Sequence, residues 1–215
     1  MDIVEKLEKK KCKLLKQYWS YDYSTTDLII HSLESSTVRS FTYKKYYKKY
    51  KPISIYRTWL DNYLKEEMGN LKNEMDFNSL HSKAFQSLKK YWNEIDGGEP
   101  EDYKFYKLID LFFKFLPNLN ELDKERKEWL FEHANIPIDK YSLLSYKKHS
   151  DNSLNVRRNP SMKDVEVLKY EKIQTAIKKL VSYHPVLLFD LFAWEEGHSK
   201  PEPIEFKLIE HNKFN

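Results

Sequence analysis

The sequence predicts an all-α protein, and three observations lead to this expectation. Glycine is scarce, with 4 in 215 residues, whereas β-hairpin turns and phosphate-binding loops depend on glycine. Lysine, leucine and glutamate, which favour helices, are abundant. Apolar residues recur at helical spacing along most of the chain. We therefore expect one compact multi-helix domain, residues 1–215. A boundary near the Gly-Gly pair would divide it into two lobes, 1–96 and 97–215, with a cleft.

Each helical segment of the first half has a recognisable start or end. Ile3, Leu7, Leu14 and Tyr18 give the first segment an apolar face. A Ser/Thr N-cap precedes the second segment, and glycine closes the third and fourth. In order, the predicted segments are residues 3–19, a helix starting near residue 25, 56–69 ending at Gly69, and 76–98 ending at Gly97 and Gly98.

Proline marks most boundaries of the second half, because it breaks a helix interior but suits a first turn. A strongly apolar helix runs from near Pro100 to Pro117, and Pro137 separates the next helix from one that starts at Asp139. The predicted segments are residues 99–117, 121–134, a helix from Asp139, a long helix from Asn159–Pro160 to Pro185, and 186–197 ending at Gly197. Residues 37–43 and 203–210 are the strand-like candidates.

Composition excludes several kinds of site. Cys12 is the single cysteine, so one chain can form no internal disulfide, thiolate zinc site or iron–sulfur cluster. The histidines show no metal spacing, and we expect no metal and no cofactor. The N-terminus is charged and no apolar run reaches about 20 residues, so we expect a cytoplasmic protein without a membrane partner. The net charge of +4 permits an anionic partner.

Charged side chains on the apolar helix are the first candidates for chemistry. Lys107, Asp110 and Lys114 have the spacing i, i+3 and i+7, which places them on one helix face. A lysine in a cleft with apolar walls loses its proton more easily and becomes nucleophilic. The alternative is a solvated stripe with a Lys–Asp pair. For Asp139, which follows Pro137, the alternative to chemistry is a helix N-cap.

These residues resemble the helix–hairpin–helix DNA glycosylase superfamily, and the 8-oxoguanine DNA glycosylases in particular. Lys107 in "YKLID" matches the lysine of that family, and Asp139 in "IPID" matches the aspartate of its Val-Pro-Val-Asp segment. Asp190 and Trp194 match an Asp and a Trp in the last helix of a bacterial group with this fold. The resemblance covers residues 76–198.

The resemblance implies a DNA repair enzyme that excises a modified or damaged base. Lys107 and Asp139 would be catalytic, and Asp110, Asp190 and Trp194 would support them. The chain departs from the family at the Gly-rich hairpin, where it has "IDGGEPEDYKFY" with acidic residues. A fold can be inherited without its activity, so a binding role alone is the other form of this hypothesis.

A lysine–tyrosine segment, "FTYKKYYKKYKP" (residues 41–52), is the candidate DNA-binding surface. Lysines bind phosphates and tyrosine rings stack on bases; a solvated lysine face over core tyrosines is the alternative. On a helix, the tyrosines would share one face. The predicted nucleic-acid contacts are Lys44, Lys45, Lys48, Lys49, Tyr47, Arg157 and Arg158.

Arg126 and His133 in "RKEWLFEH" support a second functional hypothesis. Their spacing resembles the Arg-x(4–6)-His signature of HEPN ribonucleases, all-helical enzymes that cleave RNA without metal. Lys127 stands where those enzymes usually have a smaller polar residue. A helical interaction protein without catalysis is the third hypothesis.

Overall fold

The structure, a computed structural model, describes residues 2–36, 48–96, 98 and 100–199. These residues form ten α-helices and one short 3₁₀ helix, so the all-α prediction is confirmed. The helices are α1 (Ile3–Tyr18), α2 (Thr25–Ser35), α3 (Pro52–Asn73), α4 (Phe77–Asp96), α5 (Asp102–Phe115), the 3₁₀ helix (Leu116–Asn118), α6 (Lys124–His133), α7 (Lys140–His149), α8 (Lys163–Leu168), α9 (Tyr170–Val181) and α10 (Val186–His198).

Helix α5 lies at the centre of the fold: 11 of its 14 residues are buried, which leaves little of its surface exposed. It packs against α2, α4 and α8. Helix α10 is the second hub and packs against α1, α6, α7 and α9. The first helix of the chain therefore packs against the last. One hydrophobic cluster contains residues from all ten α-helices.

Polar side chains fix where several helices begin. Ser24 caps α2 and forms a capping box with Asp27, as the predicted N-cap requires. Asp123 accepts a hydrogen bond from the Arg126 backbone N–H and starts α6. Asp139 caps α7. These caps satisfy backbone N–H groups that a helix leaves unpaired in its first turn.

Several helix boundaries differ from the prediction, and two of the differences have a clear structural cause. Helix α3 does not stop at Gly69 but continues to Asn73, because Leu71 is fully buried and its carbonyl accepts a 2.6 Å hydrogen bond from Arg126 Nε. The predicted long helix up to Pro185 is divided at Lys169, whose φ is +68°. The division separates α8 from α9, which begins at Tyr170.

The strand candidates, residues 37–43 and 203–210, lie outside the described residues. Within the described part of the chain the β-structure is a single isolated bridge between Tyr23 and Leu119. No helix there is long and apolar enough to cross a membrane.

Candidate active site

The charged side chains of α5 are buried. Lys107 is 7% exposed, Lys114 is 9% exposed and Asp110 is completely buried. The alternative of a solvated stripe is therefore wrong. Buried charges are strongly disfavoured unless they are paired, so the partners of these three residues decide what each can do.

Asp139 uses its two carboxylate oxygens for two different tasks. Oδ1 accepts hydrogen bonds from the backbone N–H groups of Tyr141 (2.8 Å) and Ser142 (3.0 Å), which caps α7. Oδ2 lies 3.8 Å from Lys107 Nζ. The cap fixes the carboxylate, and its second oxygen is left to face the amine. Asp139 is thus both an N-cap and the counter-ion of Lys107.

Lys107 and Asp139 line one pocket of about 510 Å³. Leu111 and Pro137 form part of its apolar wall, and Lys114 also reaches it. The two residues are 32 positions apart in the sequence. The structure therefore brings the predicted lysine and aspartate together in a cleft, while their catalytic roles stay a prediction.

Burial changes the acid–base behaviour of Lys107. Removal of the ammonium from water lowers the pKa of Lys107, and the positive charge of Lys114 adds to that effect. The negative charges of Asp139 and Asp190 oppose it. The net result is a lowered pKa, which increases the neutral, nucleophilic fraction of the amine near neutral pH.

A second ion pair lies behind the first. Lys114 Nζ is 2.6 Å from Asp190 Oδ2, and Asp190 is 1% exposed. Burial raises the pKa of Asp190, and the positive charge of Lys114 opposes this increase. Asp190 does not line the pocket, so it acts on Lys107 through charge and through Lys114. This arrangement is compatible with the prediction that Asp190 supports Lys107 and Asp139.

Asp110 has different partners from those expected. Its Oδ1 accepts hydrogen bonds from His81 Nε2 (2.8 Å) and from the Tyr170 hydroxyl (2.8 Å). Asn135 in turn donates to the Tyr170 hydroxyl at 3.1 Å. Burial raises the pKa of Asp110, and the hydrogen bond from His81 opposes this. Asp110 joins α4, α5 and α9 and does not line the Lys107 pocket.

Aromatic rings form one rim of the pocket. Trp194 is 45% exposed, which is high for a tryptophan, and it lines the pocket together with Tyr141. The His198 ring stacks on Trp194 with centroids 4.1 Å apart and planes 9° apart. An exposed ring beside an amine and a carboxylate can stack against a planar ligand.

The predicted ribonuclease pair does not share a pocket. Arg126 is 4% exposed and donates to the Leu71 carbonyl. His133 is exposed, and its Nδ1 donates to the Trp129 carbonyl at 2.8 Å. His133 lines a different cavity, of about 540 Å³, which Arg126 does not line. The Arg126 guanidinium holds the end of α3 in place.

The predicted DNA-binding residues are only partly described. Lys44, Lys45 and Tyr47 lie outside the described residues. The backbone N–H groups of Lys48, Lys49 and Tyr50 donate to the Asp96 carboxylate at 2.5–2.7 Å in a non-helical turn. The prediction that this segment is a helix is therefore wrong for residues 48–50.

Arg157 and Arg158 differ in their surroundings. The Arg157 guanidinium contacts Asp164 at 2.8 Å and donates to Ser161 at 2.9 Å, so part of its charge is already paired. Arg158 is exposed. Neither arginine lines the Lys107 pocket.

Several pocket residues were not predicted from the sequence, and Lys114 and Tyr141 bear most on its chemistry. Lys114 has no predicted site role, although its i+7 spacing places it on the same helix face as Lys107. Tyr141 has no predicted site role either, although it lies two residues after Asp139, which caps the helix.

Comparisons of this chain with protein-family models, with curated proteins and with solved structures find no match.

Proposed function

We propose that this chain is a DNA-binding protein with a helix–hairpin–helix glycosylase-like fold that excises a modified or damaged base. The observation that carries the proposal is the placement of Lys107 Nζ 3.8 Å from Asp139 Oδ2 at the wall of an open pocket. An amine with a lowered pKa beside a carboxylate is the pair that base excision with a lysine nucleophile requires.

The pocket suits a flipped nucleotide in size and lining. Small-molecule sites have volumes of about 300–1,000 Å³, and this pocket has about 510 Å³. Trp194 and Tyr141 offer ring faces, and Leu111 and Pro137 offer apolar contacts. A base flipped out of the DNA stack is held by stacking of this kind.

The proposed chemistry divides between the two residues. Positive charge develops on C1′ as the base departs, and the Asp139 carboxylate stabilises it. Neutral Lys107 forms a bond to C1′ while the bond from C1′ to the base breaks, and the electron pair leaves with the base. The proton that the amine loses passes by way of Asp139 to the departing base. The resulting aminal opens to a Schiff base: the nitrogen lone pair forms the C=N bond, the C1′–O4′ bond breaks, and the remaining proton of the nitrogen passes to O4′, which becomes a hydroxyl. Strand nicking by elimination can follow from this Schiff base.

Oligonucleotides that each contain one damaged base test this function. Released base and nicked strand are measured for the wild type, Lys107→Met and Asp139→Asn. We expect the wild type to release at least one class of base. Lys107→Met should abolish nicking, and Asp139→Asn should slow release by about 10²-fold or more.

Lys90→Ala is the matched control. Lys90 is exposed on α4. Its Nζ lies 3.8 Å from Glu94 Oε1, and this ion pair is on the protein surface. Its removal should leave both activities unchanged. Absence of base release from every substrate by the folded wild type, shown by circular dichroism to be helical, would contradict the proposed enzyme.

A further inference from the structure

Gly197 makes room for Tyr141. An ideal Cβ placed on Gly197 would overlap Tyr141 Cδ1 and would lie 2.8 Å from Cε1. Such distances are far below van der Waals contact. Gly197 lies inside α10, one residue before its end. The ring of Tyr141 therefore rests directly on the backbone of α10, and a side chain at position 197 would displace it.

Tyr141 links this contact to the pocket. It is the second residue of α7 and its backbone N–H donates to Asp139 Oδ1. Its ring lies 5.5 Å from the Trp194 ring and 4.5 Å from the His198 ring, measured between centroids. Tyr141 and Trp194 both line the pocket that contains Lys107. A shift of the Tyr141 ring therefore changes the pocket wall.

We infer that Gly197 positions Tyr141 and that Tyr141 sets the size of the molecule that reaches Lys107. The inference rests on the proposed reactivity of Lys107 as an amine, although not on DNA as the substrate. Tyr141 is a positioning residue for specificity, and Gly197 acts through it. The ligand class is a carbonyl compound or sugar carbon that an amine can attack.

Aldehydes of two sizes provide the test. The Lys107 nitrogen bonds to the aldehyde carbon, water leaves, and added borohydride reduces the resulting imine to a stable secondary amine. Glycolaldehyde is the small probe and pyridoxal is the large planar probe. Peptide mass spectrometry gives the labelling of Lys107 by each probe, and the ratio of the two is the readout.

The expected pattern is a coupled one. Tyr141→Ala should raise the pyridoxal-to-glycolaldehyde ratio at Lys107 on the order of tenfold, because the wall is removed. Gly197→Ala should change the ratio by at least about threefold. The same Gly197→Ala change in the Tyr141→Ala background should have no further effect. Gly69→Ala is the matched control, since no atom lies within 4 Å of a Cβ at that helical glycine.

Thermal unfolding tests the contact independently of any labelling. Gly197→Ala should lower the melting temperature by about 3–8 °C in the wild type. In the Tyr141→Ala background it should leave the melting temperature unchanged or slightly higher.

Each outcome decides the inference. A ratio that is unaffected by Gly197→Ala, or equally affected in both backgrounds, would overturn it. Labelling of Lys107 that depends on Tyr141, together with no activity on DNA, would sustain it and reject the proposed substrate. No labelling of Lys107 in any variant would overturn both the inference and the proposed amine chemistry.

Discussion

Replacement of Asp139 by asparagine or alanine separates its two tasks. Asparagine caps a helix about as well as aspartate, so Asp139→Asn removes mainly the charge 3.8 Å from Lys107 Nζ. Alanine also removes the two backbone hydrogen bonds of the cap. The two variants therefore differ mainly by the cap, which stabilises a protein by about 1 kcal/mol.

The magnitude of the charge effect follows from the geometry. Two unit charges about 4 Å apart interact by roughly 4 kcal/mol at an effective dielectric constant of about 20. Lys107 can release its proton instead of staying charged without a partner, which limits the loss. We expect Asp139→Asn to lower the free energy of unfolding by about 1–3 kcal/mol near pH 6. Asp139→Ala should lower it by about 1 kcal/mol more at every pH.

The pH dependence has a definite sign. The pKa of Lys107 is lowered in the folded protein, so the unfolded chain binds more protons between that pKa and about 10.4. Stability attributable to Lys107 therefore rises with pH in this window. Loss of Asp139 lowers the folded pKa of Lys107 further. The pH range in which stability rises then begins at a lower pH. The penalty of Asp139→Asn should consequently shrink as the pH rises through the lowered folded pKa of Lys107.

Urea denaturation between about pH 6 and pH 9 measures these free energies without a change in ionic strength. Lys107→Met is the control background, because it keeps an apolar side chain of similar length and removes the titrating amine. There the penalty of Asp139→Asn should be small and independent of pH. A penalty that is constant with pH in the wild type, or that persists in Lys107→Met, would refute the charge pair.

Three further variants test other parts of the structure by urea denaturation. Gly69→Ala should raise the free energy of unfolding by about 0.5–1 kcal/mol, because Gly69 lies in an exposed helix interior with open space around it; a loss of stability would contradict this. Asp110→Ala should lower it by about 2–5 kcal/mol, since it leaves the buried donors of His81 and Tyr170 without their acceptor, and a change below about 1 kcal/mol would contradict the network. Asp96→Ala should lower it by about 2–3 kcal/mol near neutral pH. Burial opposes ionisation of Asp96, but hydrogen bonds from three backbone N–H groups outweigh it and lower its pKa, so this stabilisation is present above the unfolded pKa of about 3.9 and is lost as the pH falls through the folded pKa. A loss of stability that does not change as the pH falls through the folded pKa of Asp96 would count against it.

Most helix boundaries were predictable because their signals are local. Ser24, Asp139 and Pro117 act within one turn of the boundary that they mark, and the apolar periodicity lies in consecutive residues. The predicted end of α3 at Gly69 is wrong because tertiary contacts outweigh the tendency of glycine to end a helix. Arg126, more than 50 residues away in sequence, holds the end of α3 through the Leu71 carbonyl.

The candidate site was predictable only in part. Lys107 and Asp139 could be selected from a lysine on an apolar helix and an aspartate behind a proline. The partners of Asp110 could not, because His81 and Tyr170 lie 29 and 60 positions away and no local pattern links them. The contact between Tyr141 and Gly197 is likewise a property of helix packing between α7 and α10.

The most direct test of the account is reductive trapping on DNA that contains an abasic site. The sugar of such a site exposes an aldehyde, and borohydride converts its imine with an amine into a stable protein–DNA adduct. We predict a covalent adduct with the wild type, located on Lys107 by peptide mass spectrometry, and its retention in Lys90→Ala. Lys107→Met should give no adduct while it stays folded. An adduct of equal yield in Lys107→Met, or one located on another amine, would contradict the assignment of Lys107 as the nucleophile.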